Sequence, residues 1–129
     1  NDIDKYNELI KYVDLFLLDI KHIDNEKCIK LTGKSNENTL EFAKYLNKNN
    51  KKTWIRYVLV PGYTNDLSDL ENTRSFIDTL SNVEKIELLP YHKLGITKYN
   101  NLGIDYKLKD LTVPTNEEID IAKAYLKIN

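Results

Sequence analysis

The chain has 129 residues, of which 41% are hydrophobic and 30% charged, and its formal net charge is −1 at pH 7. This length and composition allow one ordinary hydrophobic core and exclude two independent domains. The balanced charge predicts no binding to nucleic acid, and no apolar run approaches the roughly 20 residues of a membrane helix. We therefore expect a globular chain that resides in the cytoplasm.

Cys28 is the single cysteine of the sequence. One cysteine excludes an internal disulfide and also a metal or iron–sulfur site whose ligands are cysteines of this chain alone. The charged neighbours Glu26, Lys27 and Lys30 predict that Cys28 lies on the surface of a helix. These features do not favour a nucleophilic role for the thiol.

Helical and strand patterns alternate along the chain. The first 13 residues have helical spacing, and three short apolar runs then follow at the spacing of βαβ repeats. We predict that these runs are strands over residues 14–20, 53–60 and 83–89. A helix is predicted over residues 38–47, and two more begin at S-x-x-E and T-x-x-E capping boxes, Ser68 to Glu71 and Thr115 to Glu118.

This alternation predicts the fold class. The order is α-β-α-β-α-β, a long loop over residues 91–115, and a final helix, which favours parallel strands in a doubly wound sheet or a barrel segment. We predict the barrel segment, an α/β fold of about three β/α units plus a C-terminal helix, forming one partial domain over residues 1–129. Tyr91, Leu94, Tyr99 and Tyr106 predict that the long loop is ordered and functional.

Polar side chains follow each predicted strand, where parallel α/β folds collect their reactive groups. Asp19 and Lys21 end the first strand and would lie on the same side of it, either facing an amino-acid ligand or forming an ion pair. Arg56 interrupts the second apolar run, which predicts either a functional group or a paired core cation. His92 follows the third strand and is either a ligand-binding or a structural histidine.

Long phrases of the sequence resemble the pyruvate formate-lyase activating enzymes, a family of radical S-adenosylmethionine (SAM) enzymes. The phrases are LLDIK at 17–21, LTG at 31–33, NTLEFAKYL at 38–46, WIRYVLVPG at 54–62, VEKIELLPYH at 83–92 and YKL at 106–108. They extend through nearly the whole chain. The resemblance implies an incomplete radical-SAM barrel of six β/α units, of which this chain would cover the fourth to the sixth.

The resemblance also implies an activity. Members of the family are oxidoreductases that use SAM and a [4Fe-4S] cluster to generate a glycyl radical on pyruvate formate-lyase, with a small electron donor such as flavodoxin or ferredoxin. The family's C-x3-C-x2-C cluster motif does not occur in this sequence, so no iron–sulfur ligand is expected here. We expect the C-terminal half of such an enzyme, inactive by itself. Two alternatives are an activase of another glycyl-radical enzyme and a barrel lyase that uses Lys21 as a Schiff base.

The family's contacts carry over to matching positions in this sequence. The resemblance implies that Asp19 and Lys21 bind the methionyl end of SAM and that Arg56 is a catalytic polar group. It implies that Val58 and Leu89 line the adenine pocket and that His92 contacts the adenine. Asp19 and the backbone at Leu17 would contribute to a monovalent-cation site.

Overall fold

The computed structural model describes residues 7–92 and 111–128. A short 3-10 helix spans Leu9–Tyr12, and three strands follow: β1 (Phe16–Asp19), β2 (Thr53–Leu59) and β3 (Val83–Pro90). These described residues contain four α-helices, α1 (Asn25–Thr32), α2 (Glu37–Lys48), α3 (Leu67–Asp78) and α4 (Asn116–Leu126). The helical spacing predicted before residue 7 and the loop positions Leu94, Tyr99 and Tyr106 lie outside the described residues.

The three strands form one parallel sheet in the order β1-β2-β3. The first two strands are close to continuously apolar, as parallel strands covered on both faces tend to be. The register places Asp19 opposite Arg56, and Arg56 opposite Glu87. Two residues farther along β2, Val58 lies opposite Leu89. The parallel pairing confirms the predicted α/β architecture.

Helices cover one face of this sheet, because every second strand residue is buried against them. One buried cluster joins β1 and β2 to α2 and α3, and consists of Leu18, Ile20, Ala43, Ile55 and Ile77. A second joins β2 to α3 and α4, and consists of Tyr57, Leu59, Leu70, Ala122 and Leu126. These two clusters pack the helices against one face of the sheet.

The alternate strand residues form the opposite face of the sheet, which we call the open face: Leu17, Asp19, Trp54, Arg56, Lys85 and Glu87. Within residues 7–92 and 111–128, no helix contributes to the buried clusters on this side. Leu17 is 51% exposed, and the Lys85 ammonium lies 4.8 Å from the centre of the Trp54 ring. Helices on one side and an open inner face are the arrangement of a barrel wall.

Helix α1 adds an element that the predicted order lacks. The Asp24 carboxylate caps it by accepting from the Lys27 N–H at 2.9 Å, and Gly33 ends it in a left-handed conformation with φ 80°. Cys28 was predicted to lie on the exposed surface of a helix. It does lie on α1, but it is buried together with Leu31 and Thr32, because its charged neighbours occupy the exposed face of the helix, so the predicted exposure is wrong.

The two predicted capping boxes have different outcomes. Thr115 and Glu118 form the complete box at the start of α4, as predicted. Helix α3 begins one residue earlier than expected, and its cap is Asp66 rather than Ser68. The Asp66 carboxylate accepts from the N–H groups of both Ser68 and Asp69, so it satisfies the donors that a Ser68 cap would have left out. No helix among the described residues is long and apolar enough to cross a membrane.

Candidate functional site

Asp19 and Arg56 form a two-point ion pair on the open face, at the carboxyl ends of β1 and β2. The guanidinium Nε donates to one carboxylate oxygen at 2.6 Å and Nη2 donates to the other at 3.0 Å. The Arg56 and Asp19 side chains are only 13% and 18% exposed. Arg56 is therefore paired with a carboxylate from the neighbouring strand, while the functional role expected for it stays a prediction.

Lys21 lies just beyond the end of β1, where the backbone has already bent away from the strand. Lys21 is among the residues that line a cavity of about 90 Å³ beside the helices α1 and α2, together with Cys28 and Asn36. Strand β1 ends at Asp19, so alternation does not determine the direction of the Lys21 side chain. Lys21 lies at this strand end, at the rim of the candidate site, and the role expected for it stays a prediction.

Val58 and Leu89 lie side by side at the carboxyl end of the sheet and belong to a third hydrophobic cluster. Val58 is 5% exposed and packs with Val60, Tyr91 and Leu111, while Leu89 is half-buried. We call Val58 and Leu89 the apolar wall, and Leu89 is its more accessible member. His92 is exposed and follows Tyr91 directly.

His22 is a buried residue directly after Lys21, and the sequence predicted no role for it. Its Nε2 atom is 2.8 Å from the Tyr63 carbonyl oxygen, and its Nδ1 atom accepts from the Asp24 N–H at 3.0 Å. The imidazole therefore joins the loop after β1 to the loop after β2. The sequence signal was the position of His22 itself, directly after Lys21 at a strand end.

The loop after β2 is held by a second set of buried bonds around Thr64. The Thr64 hydroxyl donates to the Val58 carbonyl at 2.9 Å and accepts from the Val60 N–H at 2.7 Å. The Tyr57 hydroxyl donates to the Thr64 carbonyl. Gly62 has φ +84°, a conformation that favours glycine, so the turn within the loop depends on it.

Three groups in and near the loops after β1 and β2 have raised pKa values. Burial raises the pKa of the Tyr57 phenol well above its ordinary value, and the hydrogen bond to Thr64 opposes this only in part. The hydrogen bond to Asp69 raises the pKa of the Lys27 ammonium. Burial also raises the pKa of the Cys28 thiol, so the neutral thiol is favoured and its nucleophilicity is low.

We expect the stability of the chain to fall as the pH rises above about 10, because the folded state keeps the Tyr57 proton that the unfolded chain releases. The slope is about 1.4 kcal/mol per pH unit for one such phenol. Tyr57→Phe should lower stability at neutral pH by about 1–2 kcal/mol through the lost hydrogen bond, and should reduce the alkaline slope. Urea unfolding at several pH values measures both effects.

Tyr12→Phe is the control for this prediction, because the Tyr12 side chain is 83% exposed. It should leave the alkaline slope unchanged. Lys27 acts in the same direction as Tyr57, since its raised pKa gives stability that is present below its unfolded value and lost as the pH rises through its folded value. An unchanged slope in Tyr57→Phe would show that the phenol is not the responsible group.

The described residues contain no group of three or more His, Cys, Asp and Glu side chains arranged to hold a metal ion. The monovalent-cation site expected at Asp19 and the Leu17 backbone therefore stays a prediction. Both residues lie on β1 in adjacent rows of the open face. The Asp19 carboxylate already accepts two hydrogen bonds from Arg56, so a cation would share it.

Comparisons with known proteins identify relatives over almost the entire sequence. No protein-family model matches the chain. The pyruvate formate-lyase-activating enzyme of Staphylococcus epidermidis is 51% identical over 124 residues, which are 96% of this chain and 49% of the relative. The Staphylococcus aureus enzyme of the same name is 51% identical over 121 residues, 94% of this chain and 48% of its own length. The chain thus spans about half the length of the curated relatives it matches.

Two solved structures share the fold. A domain of a pyruvate-formate lyase-activating enzyme from Bacteroides vulgatus aligns over 97% of this chain and 68% of its own, with a TM-score of 0.79 and 21% identity. A radical SAM methyltransferase from Sphaerobacter thermophilus aligns over 86% of this chain and 30% of its own, with a TM-score of 0.59 and 13% identity. These likenesses confirm the predicted barrel segment. Together with the sequence identity to the staphylococcal enzymes, they show that this chain belongs to the pyruvate formate-lyase-activating enzyme family.

Proposed function

We propose that this chain supplies the SAM-facing wall of a cytoplasmic enzyme that uses SAM and a [4Fe-4S] cluster to generate a glycyl radical on pyruvate formate-lyase. The observation that carries the proposal is the 51% identity to a named activating enzyme over 96% of the chain. The pair of Asp19 and Arg56 beside the apolar wall of Val58 and Leu89 supports it.

The chemistry of these residues fits the two ends of SAM. The methionyl end is an amino acid, with one carboxylate and one ammonium, and Asp19, Lys21 and Arg56 offer the complementary charges. The adenine end is flat and mostly apolar, which suits Leu89 packed on Val58. His92 is exposed beside this wall and can contact the adenine by stacking or by hydrogen bonding.

The cluster and SAM, when bound, supply the electron and the carbon radical that abstracts hydrogen from glycine. The residues of this chain are proposed to bind SAM and to orient it. The ion pair of Asp19 and Arg56 holds two charges in place before a ligand arrives, which reduces the cost of ordering them on binding. The apolar wall excludes water from the adenine side. The cluster's cysteine ligands do not occur in this sequence, so the chain by itself is proposed to be inactive.

The partners follow from the same proposal. Pyruvate formate-lyase would present its glycine-bearing loop to the open face, and flavodoxin or ferredoxin would deliver the electron. The open face suits this role because its polar row, Asp19, Arg56 and Glu87, lies in register across the three strands.

A chimaera tests the proposal, with this chain replacing the matching half of the S. epidermidis relative. After anaerobic reconstitution of the cluster, we expect it to bind SAM and, with dithionite, to form 5′-deoxyadenosine and a glycyl radical on pyruvate formate-lyase. Lys21→Met should weaken SAM binding by about tenfold or more, because it removes a charged donor. Equilibrium dialysis measures the affinity.

Lys48→Met is the matched control, because Lys48 is an exposed lysine in the last turn of α2. It should leave the SAM affinity of the chimaera unchanged. Equal affinities for the Lys21 and Lys48 variants would remove Lys21 from the site. This chain alone should form no 5′-deoxyadenosine above a control without protein.

A further inference from the structure

The imidazole of His22 uses both ring nitrogens, and their partners determine its protonation. His22 is 1% exposed. Nδ1 accepts from the Asp24 N–H at 3.0 Å, so it carries no proton. Nε2 must then carry the proton, and it donates to the Tyr63 carbonyl at 2.8 Å. The ring is therefore neutral, in a tautomer that two backbone groups determine.

The nearby Asp69 carboxylate is paired with Lys27 and not with His22. Its Oδ2 atom is 3.6 Å from His22 Nε2, which is beyond hydrogen-bond distance. The same oxygen accepts from the Lys27 ammonium at 2.7 Å, which is an ion pair with its own cation. His22 therefore acts as a neutral crosslink between two loops rather than as one half of a salt bridge.

The backbone of His22 is anchored on its other side by Asn36. The Asn36 amide donates to the His22 carbonyl at 3.0 Å and to the Ile23 carbonyl at 2.9 Å. Asn36 is itself buried. The residue directly after Lys21 is thus held from two directions, by the loop after β2 through its ring and by the segment before α2 through its carbonyl.

We propose that His22 is a positioning residue that sets the rim of the site by tying Lys21, at the end of β1, to the loop that follows β2. This inference rests on the proposed function of Lys21 as a SAM ligand. A lysine ammonium sits on a flexible four-carbon stem, so its reach depends on where the backbone is held. The bond to Tyr63 makes this connection between strands, whereas the bond to Asp24 is local.

Two substitutions separate the two bonds. His22→Gln keeps an N–H donor at about the reach of Nε2 and loses the acceptor for Asp24. His22→Asn keeps a short acceptor for Asp24 and cannot reach Tyr63. NMR spectra of the chain report the amide shifts of Lys21 and Tyr63 in each variant. Both variants lose the ring current of the imidazole and change the neighbour of Lys21, so the two are compared with each other. We expect their shifts at Lys21 and Tyr63 to differ, with those of His22→Gln closer to the unsubstituted chain, and SAM binding by the chimaera to be about tenfold weaker only in His22→Asn.

Asn82→Ala is the control for a general loss of stability. Asn82 is also buried and donates to the Lys51 carbonyl at 2.8 Å and to Thr53 Oγ1 at 3.1 Å, at the opposite end of the sheet. It should lower stability and leave the Lys21 shift unchanged. Equal shifts in His22→Gln and His22→Asn, or an equal effect of Asn82→Ala at Lys21, would overturn the inference. If the unsubstituted chimaera does not bind SAM, the proposed function fails, while the contrast between Gln and Asn still tests the crosslink.

Discussion

We expect Asp19→Ala to lower the free energy of unfolding by about 2–4 kcal/mol, because it leaves the Arg56 guanidinium without its carboxylate at a largely buried position. The two side chains are 18% and 13% exposed and meet through two hydrogen bonds. Glu87 lies opposite Arg56 in the sheet and can compensate in part, which keeps the loss below that of a fully buried pair. Urea unfolding at neutral pH measures the change.

The double variant Asp19→Leu with Arg56→Met should be close to the unsubstituted chain, because neither charge then remains buried. Glu84→Ala is the control, since Glu84 pairs with Lys52 at 3.7 Å and both side chains are well exposed. Its cost should be below about 1 kcal/mol. A loss of less than about 0.5 kcal/mol in Asp19→Ala would contradict the account of the pair as a buried structural contact.

We expect Leu70→Ala to lower the free energy of unfolding by about 2–5 kcal/mol, because it opens a cavity in the second hydrophobic cluster. Leu70 is fully buried and packs with Tyr57, Leu59 and Leu126, so it joins α3 to both β2 and α4. A loss of this size is a large part of the stability of a small domain. Chemical denaturation, with thermal unfolding as a second probe, measures it.

Leu67→Ala is the matched control on the same helix. Leu67 is 47% exposed and lies one turn before Leu70, at the first residue of α3. Its truncation should change stability by no more than about 0.5 kcal/mol. Similar losses for Leu67→Ala and Leu70→Ala would show that the second cluster is not the core that joins α3 to the sheet.

The strands could be predicted closely from the sequence. The strands predicted over residues 53–60 and 83–89 correspond to β2 (Thr53–Leu59) and β3 (Val83–Pro90). Short runs of β-branched and other apolar residues favour a strand over a helix or a loop. The strand predicted over residues 14–20 is shorter in the structure, where β1 spans Phe16–Asp19. Its pairing partner β2 fixes these ends through the register, which a single sequence does not reveal.

The missed elements have local physical reasons. Helix α1 has only eight residues and few apolar positions, so its periodicity is weak. Its usable signals were the terminal residues, with Asp24 as N-cap and Gly33 in a left-handed C-terminal position. The cap of α3 was assigned to Ser68 although Asp66, two residues earlier, is a stronger acceptor for two N–H groups.

The contacts between the candidate site residues could be predicted less well than the strands. Alternation on a strand predicted one side for Asp19, but it cannot show which neighbour pairs with it, and the partner is Arg56 on β2. The strand ends before Lys21, so alternation does not determine the side on which Lys21 lies. The role of His22 depends on a contact with Tyr63, 41 residues later, which only the fold brings into reach.

Formation of 5′-deoxyadenosine by the chimaera with the S. epidermidis relative tests the central claim most directly. The claim is that this chain is the SAM-facing half of a glycyl-radical activase. We predict product above the control without protein when the reconstituted chimaera is given SAM and dithionite. A chimaera that folds and holds its cluster but forms no product would contradict the claim.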